Sequence, residues 1–323
     1  MLSRYKNRIK AYIQQEIKNR LINLNASDNN LTPNHRNWEN QISINPENDK
    51  IVPLDCVSNY VHGETYINPA DIGLPEAIES YINRDPYPLP STADREGYMG
   101  ERHYEFWLFG LKDYFLIKQV AMELGHTFKP GYSVFDMGCA SGRVIRHFLC
   151  QEKELDLWCS DINARHIDWV STFFNESLNA FQNHSLPHLP MSDNSIDLVY
   201  AFSVFSHIES FERTWLYEIR RILKPGGIAY LTIHSDHTWS IMKKGHEIFD
   251  SLLSHPDFTP EMTHAKLPKE KMIFRWESDA SYTSNVFYAS DYIRKVWGRI
   301  LPVIKINHEM HNYQDVVVLQ KKG

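Results

Sequence analysis

The chain has 323 residues, of which 42% are hydrophobic, 13% aromatic and 23% charged, with a formal net charge of -6. That composition buries a sizeable core and excludes a chain disordered throughout. An acidic balance argues against a nucleic-acid partner, because phosphate binding draws on a basic field.

The four cysteines, Cys56, Cys139, Cys150 and Cys159, form no C-x-x-C pair. Reduced thiols in a cytoplasmic protein are expected, with neither disulfides nor a metal site. No apolar run approaches the roughly 18 residues of a membrane span. The N-terminus lacks the apolar stretch and small-residue cleavage site of a secretory signal.

The first segment, residues 1–24, reads as a helix. Ile9, Ile13, Ile17 and Leu21 recur every four residues and form one apolar stripe, with Arg4, Lys6, Arg8, Lys10, Lys18 and Arg20 on the other faces. Such a helix either lies on a membrane surface or packs on its own domain or a second subunit. Residues 25–50 are polar, Asn-rich and aperiodic, which predicts a flexible connector. Residues 51–130 form an N-terminal extension, punctuated by Pro86, Pro88 and Pro90, with a helix from about Glu101 to Leu124.

From residue 131 to 323 strand-like and helix-like runs alternate: YSVFD, RVIRHFL, LDLWCS, ARHIDWV, NAFQN, IDLVYAF, TWLYEIRRIL and IAYLTI. This pattern predicts an α/β domain with a Rossmann-like sheet and helices on both faces. Residues 234–285 interrupt the rhythm and are rich in Trp, Phe, Met and His, which suits an insertion acting as a substrate lid. Helical periodicity returns in SDYIRKVWGRIL. The closing runs, PVIKI and DVVVLQ, are joined by so short a link that they pair most easily antiparallel.

Chemistry concentrates in VFDMGCASGR, Val134 to Arg143. An apolar strand ends at Asp136, and a glycine-bearing turn leads into an apolar helix, a geometry that brings backbone amides close to a ligand. The dinucleotide fingerprint G-x-G-x-x-G is not met, since Ala140 and Arg143 stand at its second and third glycines. Asp161 ends the next strand, where a carboxylate accepts hydrogen bonds from ribose hydroxyls or caps the following helix. Next, a turn at Asp193, Asn194 and Ser195 opens the strand IDLVYA. Finally, LKPGG, Leu223 to Gly227, punctuates the passage from a helix into IAYLTI.

These four signals, in this order, resemble the class I S-adenosylmethionine (SAM)-dependent methyltransferases of the small-molecule type. The family's first motif is an acidic residue followed by G-x-G-x-G; here it reads Asp136, Gly138, Ala140 and Gly142, with alanine replacing the middle glycine. The resemblance implies a seven-stranded sheet whose last strand is antiparallel. It also implies that SAM is converted to S-adenosylhomocysteine. By the same resemblance, Asp136, Gly138, Cys139, Ala140, Ser141, Gly142 and Arg143 hold the methionine portion. Asp161 and Ile162 take the ribose side, Asn183 stands near the adenine, and Ala201 and Phe202 flank the cofactor.

Methyl transfer from a sulfonium is an in-line displacement, and a hydroxyl acceptor benefits from a general base. His207, just past the fourth strand, and His234, at the end of the fifth, are the candidates, although 16 histidines make any one a weak choice. Tyr98, Tyr104, His237 and Trp239 are candidate walls of the acceptor pocket. The C-terminal tail resembles that of methyltransferases found beside glycosyltransferases or biosynthetic genes, which implies a sugar or secondary-metabolite acceptor, methylated at O or N. A peptide, protein or RNA acceptor is the first alternative and a non-catalytic SAM-fold binding protein the second. The sequence leaves the oligomeric state open, a dimer included.

Overall fold

A computed structural model describes residues 51–52, 74–174, 178–276 and 283–323. The expected amphipathic helix of residues 1–24, the connector of residues 25–50, and Cys56 lie outside the described residues. The chain divides into two compact units, residues 1–107 and 108–323. That division falls earlier than residue 131, where the sequence places the start of the main domain.

In the first unit, β1 (Ile51–Val52) pairs antiparallel with β2 (Leu89–Pro90). Between them lies α1 (Ile78–Asn83). The buried Arg95 organises the loop that follows. Its Nη2 donates to the Gly100 carbonyl at 2.7 Å and meets His103 Nδ1 at 2.8 Å, and its guanidinium lies 4.8 Å from the Phe106 ring centroid. Trp107 Nε1 donates to Asp85 Oδ2 at 2.8 Å, so both buried groups are satisfied. α2 spans His103–Glu123, close to the helix expected from Glu101 to Leu124.

The second unit is built on one nine-stranded sheet. Its strands are β3 (Ser133–Met137), β4 (Asp156–Asp161), β5 (Leu178–Gln182), β6 (Ile196–Ala201), β7 (Leu223–Ser235), β8 (Lys271–Arg275), β9 (Ser284–Tyr288), β10 (Val303–His311) and β11 (Gln314–Gln320). Seven run in the order β10-β11-β7-β6-β3-β4-β5. β3 to β7 pair in parallel, whereas β11 is antiparallel to both β7 and β10. The order reverses at β3, whose neighbours are β4 on one side and β6 on the other. In open α/β sheets a ligand crevice forms at such a switch point, outside the carboxyl ends of the strands.

Helices α3 (Ile145–Gln151), α4 (Ala164–Phe173), α5 (Glu212–Ile222) and α8 (Ser290–Val296) connect the strands. α5 buries Trp215, Leu216, Ile219 and Ile222, an apolar stripe at helical spacing, in one core with Phe135, Val199, Ala201, Leu231 and Val317. A Leu216→Ala change there removes packing worth about 2–5 kcal/mol. Period-two alternation sends Tyr200 to the opposite face, where it stacks on Phe148 of α3 at 5.6 Å. At the other end of the strands, Asp197 Oδ2 accepts from Ser133 N, Ser133 Oγ and Lys224 Nζ, tying β3, β6 and β7 together.

The segment expected as a lid is an ordered layer over its described part. It holds α6 (Asp236–Ile241), α7 (Glu247–Leu252) and the β8–β9 hairpin. β9 pairs in parallel with the tip of β7, through His234↔Phe287 and Ser235↔Tyr288. The layer has its own core of Trp239, Met242, Ile248, Phe249, Leu252, Phe258, Phe274 and Phe287. This corrects the reading of Trp239 as a pocket wall. Its side chain is fully buried and its Nε1 donates to the Ala265 carbonyl at 3.2 Å, so no face is left for an acceptor.

Candidate active site

The loop after β3 is held by the end of β4. The amides of Gly138 and Cys139 both donate to the Ser160 carbonyl, at 2.8 and 2.9 Å, and Ala140 N donates to Asp161 Oδ2 at 2.8 Å. Three residues of the turn have left-handed backbone: Gly138 (φ 80°), Ala140 (φ 46°) and Gly142 (φ 78°). A Cβ on Gly138 would overlap Val204 Cγ2, and one on Gly142 would overlap the Phe174 ring. The two glycines therefore answer to both conformation and space, whereas Ala140 carries a strained φ that glycine would relieve.

Asp161 is buried, and its two oxygens each accept one backbone amide, Ala140 N at Oδ2 and Asn163 N at Oδ1, both at 2.8 Å. His166 Nδ1 stands 3.4 Å from Oδ1, and a carboxylate's capacity of about four hydrogen bonds exceeds the two that the amides use. The helix cap is instead Asn163, whose side chain accepts from Arg165 N at the start of α4. Ile162 is exposed beside it, as is Leu186 beyond β5. Asn183 is buried; its amide donates to the Asp161 carbonyl and its side chain to the His184 carbonyl.

Asp136 sits at the sheet centre and accepts from Tyr200 OH at 2.9 Å. Burial pushes its carboxyl up to about 8, against the opposing effects of the Tyr200 hydrogen bond and the Arg143 charge. Ser141 is fully buried within the turn. The Cys139 thiol is buried and raised, by burial first and then by its neighbour Cys159.

Arg143 is turned to a different partner from the one expected. Its Nη1 donates to Asp113 Oδ2 at 2.6 Å, and Asp113 Oδ1 meets His311 Nδ1 at 3.0 Å. Burial alone would raise the Asp113 carboxyl, but the His311 and Arg143 charges bring it below its ordinary value. Phe202 packs between them, 5.6 Å from the guanidinium and 4.7 Å from the His311 ring, while Ala201 is fully buried at the end of β6. Asp113 and His311 were missed in the sequence because they lie far apart along the chain and belong to no motif.

His207 and His234 are brought together, with ring centroids 6.3 Å apart. His207 Nδ1 donates to the Ser284 carbonyl, which assigns the lone pair to Nε2. Burial lowers its pKa, so the ring is neutral at pH 7. His234 is more deeply buried, and its pKa falls further by burial and by the nearby His207 charge. Its Nε2 accepts from Gln314 Nε2 at 3.3 Å, so its lone pair is occupied; Gln314 also donates to Ser203 Oγ at 3.0 Å. His207 is thus paired through Nδ1 with Ser284, and His234 through Nε2 with Gln314. His237 lies at the start of α6 with Nε2 2.9 Å from Glu309 Oε1. Tyr98, half-exposed, and Tyr104, buried, belong to the first unit.

Residues 135–231 match the family model described as a methyltransferase domain. Among curated proteins, sterol 24-C-methyltransferase erg6 of Schizosaccharomyces pombe is 31% identical over 133 residues, covering 37% of this chain and 33% of that protein. Sterol 24-C-methyltransferase ERG6B of Gibberella zeae is 29% identical over 161 residues, covering 47% of this chain and 42% of that protein. The chain thus spans less than half the length of these relatives. One similar solved structure is the Burkholderia thailandensis 1,6-didemethyltoxoflavin-N1-methyltransferase, with 1,6-didemethyltoxoflavin and S-adenosylhomocysteine bound. It has a TM-score of 0.46 and 11% identity, and the match covers 80% of this chain and 93% of that one.

The sheet order and the glycine-bearing turn are those of a Rossmann-like α/β domain, and residues 135–231 within it match a methyltransferase domain. SAM, the cofactor that the sequence resemblance implies, fits the residues present. Gly138 and Gly142 keep side chains out of the space beside Val204 and Phe174, and Asp161, with two backbone amides and His166 Nδ1 at 3.4 Å on its oxygens, retains acceptor capacity at the end of β4. Among the described residues, no helix is long and apolar enough to cross a membrane.

Proposed function

We propose that this chain transfers a methyl group from SAM to a small-molecule acceptor. The observation that carries the reading is the union of the two cofactor motifs: Ala140 N donates to Asp161 Oδ2 at 2.8 Å, at the carboxyl ends of the adjacent strands β3 and β4. In this reading the Asp161 oxygens take the ribose hydroxyls. Residues 138 to 142 pass beneath the methionine portion, Ile162 and Asn183 border the adenine, and Ala201 and Phe202 border the sulfonium side. SAM supplies an electrophilic methyl group, and the protein's part is to align the acceptor with the breaking C–S bond. His207 Nε2 takes the proton of a hydroxyl acceptor.

The acceptor lies beyond the ends of β6 and β7, beside the layer of residues 236–276. A sugar or secondary metabolite fits the resemblance of the C-terminal tail, and the sterol methyltransferase relatives add apolar polycyclic alcohols to the range worth assaying. Buried reduced thiols at Cys139 and Cys159 suit a cytoplasmic protein. The test is methyl transfer from labelled SAM to a panel of sugars, phenols, amines, carboxylic acids and sterols. Turnover of one small-molecule class supports the reading, and transfer confined to protein or RNA overturns it.

A further inference from the structure

Beside the histidine pair, His308 of β10 and Asp315 of β11 meet His237 at the start of α6. His237, His308 and Asp315 each offer one ligand atom, and those atoms lie within 4.8 Å of one another. The His237 and His308 rings are 4.3 Å apart, and His308 Nδ1 is 2.6 Å from Asp315 Oδ2. Asp315 is a fully buried carboxylate at the start of β11, and among the described residues its ion-pair partner is His308. Its position is fixed from two sides. Ser235 Oγ donates to Oδ2 at 2.6 Å, and Glu309 N donates to Oδ1 at 2.9 Å. Glu309 adds a second carboxylate, with Oε1 2.9 Å from His237 Nε2.

We propose that His237, His308 and Asp315 form a binding site for a divalent transition-metal ion, with Zn2+ the best match. Two neutral imidazoles and one carboxylate are a zinc ligand set, and water takes the fourth position. The Asp315 and Glu309 carboxyl groups stand beside the two imidazoles, a mixed nitrogen and oxygen donor set for a divalent cation. Hydrogen bonds from Ser235 and from the Glu309 amide orient the Asp315 ligand, as outer groups do around bound metals. Zn–N and Zn–O bonds of about 2.0–2.2 Å require His308 Nδ1 and Asp315 Oδ2, 2.6 Å apart, to separate and the wider-spaced ligand atoms to draw in. His308 is exposed and His237 is partly so, and rotation of these rings supplies these movements.

The site lies next to His234 of the histidine pair, because Asp315 pairs with Ile233 and the adjacent Gln314 bonds His234. Nothing in it depends on SAM, so it stands or falls apart from the methyltransferase reading. The three ligands escape the sequence because His237 lies far along the chain from His308 and Asp315, with no motif spacing.

The test uses the full chain stripped with a chelator, then titrated with Zn2+ by calorimetry and with Co2+ by visible absorption. One equivalent of Zn2+ should bind, and Co2+ should show the strong d–d bands of a four-coordinate ion. His237→Ala and His308→Ala, both at sites open to solvent, should each weaken binding at least about tenfold. His188→Ala, at an exposed histidine elsewhere, should leave it unchanged. Asp315→Asn should also lose the metal, with its folding checked by circular dichroism because the residue is buried. Absence of stoichiometric Zn2+ binding, or unchanged affinity in the His237→Ala/His308→Ala double variant, overturns the proposal.

Discussion

Ala140 donates its backbone amide to Asp161 Oδ2 at 2.8 Å while holding a left-handed φ of 46°. The hydrogen bond to the carboxylate holds the turn in a conformation that alanine disfavours by about 1–2 kcal/mol. Glycine removes that strain and keeps the amide, at some cost in unfolded-chain entropy. Ala140→Gly should therefore raise stability by about 0.5–1 kcal/mol. Chemical denaturation checks this, and a clear loss of stability would show that the alanine methyl makes contacts outweighing the strain.

Gly138 faces a different constraint. Its φ of 80° and the overlap with Val204 Cγ2 both act against any side chain. Gly138→Ala should lower stability by more than about 1 kcal/mol. Adding Val204→Ala should restore part of the loss, since it clears space but leaves the backbone strain. If the second change restores nothing, Val204 is not the obstacle.

Asp136 makes stability depend on pH in the unusual direction for a carboxylate. Its folded pKa is raised to about 8, so the folded state holds a proton that the unfolded chain releases near pH 4. The stability this proton brings is complete below pH 4 and is lost as pH rises through 8. Asp136→Asn keeps an acceptor for Tyr200 and removes the titration. The melting temperature of the variant relative to the parent should therefore rise between pH 5 and pH 8. Parallel profiles across that range would place the Asp136 pKa near its ordinary value.

His207 is tested by its proton. General-base assistance is worth about 10²–10⁴-fold in rate, and His207→Gln should lower kcat by that order with S-adenosylhomocysteine affinity nearly unchanged. Burial lowers the His207 pKa, so the acidic limb of the parent's rate profile should fall below the ordinary histidine value of 6.5 and vanish in the variant. The neutral ring is the active form, and activity is lost as pH drops through that pKa. A loss of less than about threefold, well short of that range, would shift the account to orientation alone.

The sheet was legible because its signals are local. Period-two apolar runs marked β3, β4, β6, β7 and β11, and the turn chemistry of LKPGG marked the entry into β7. The layer after β7 was not legible as structure. β8, KMIFR, alternates charged and apolar residues too briefly to stand out, and β9 depends on pairing with the tip of β7. Trp239 resembled a pocket residue because sequence cannot separate an aromatic core from an aromatic wall. In the candidate site, Asp136, Gly138, Gly142 and Asp161 stand out in the sequence through motif order alone. Asp113, Gln314, His311 and the ligands about Asp315 do not, because each acts through a contact across long stretches of chain. The partner of Arg143 was hidden for the same reason.

The most direct test of the central claim is calorimetric titration of the full chain with S-adenosylhomocysteine, repeated on Asp161→Ala. Loss of hydrogen bonds to a charged acceptor costs about 1.5–3 kcal/mol, about tenfold or more in affinity. The account predicts one-to-one binding by the parent chain and at least that loss in a folded variant. Absence of binding, or equal affinity in the two proteins, would contradict it.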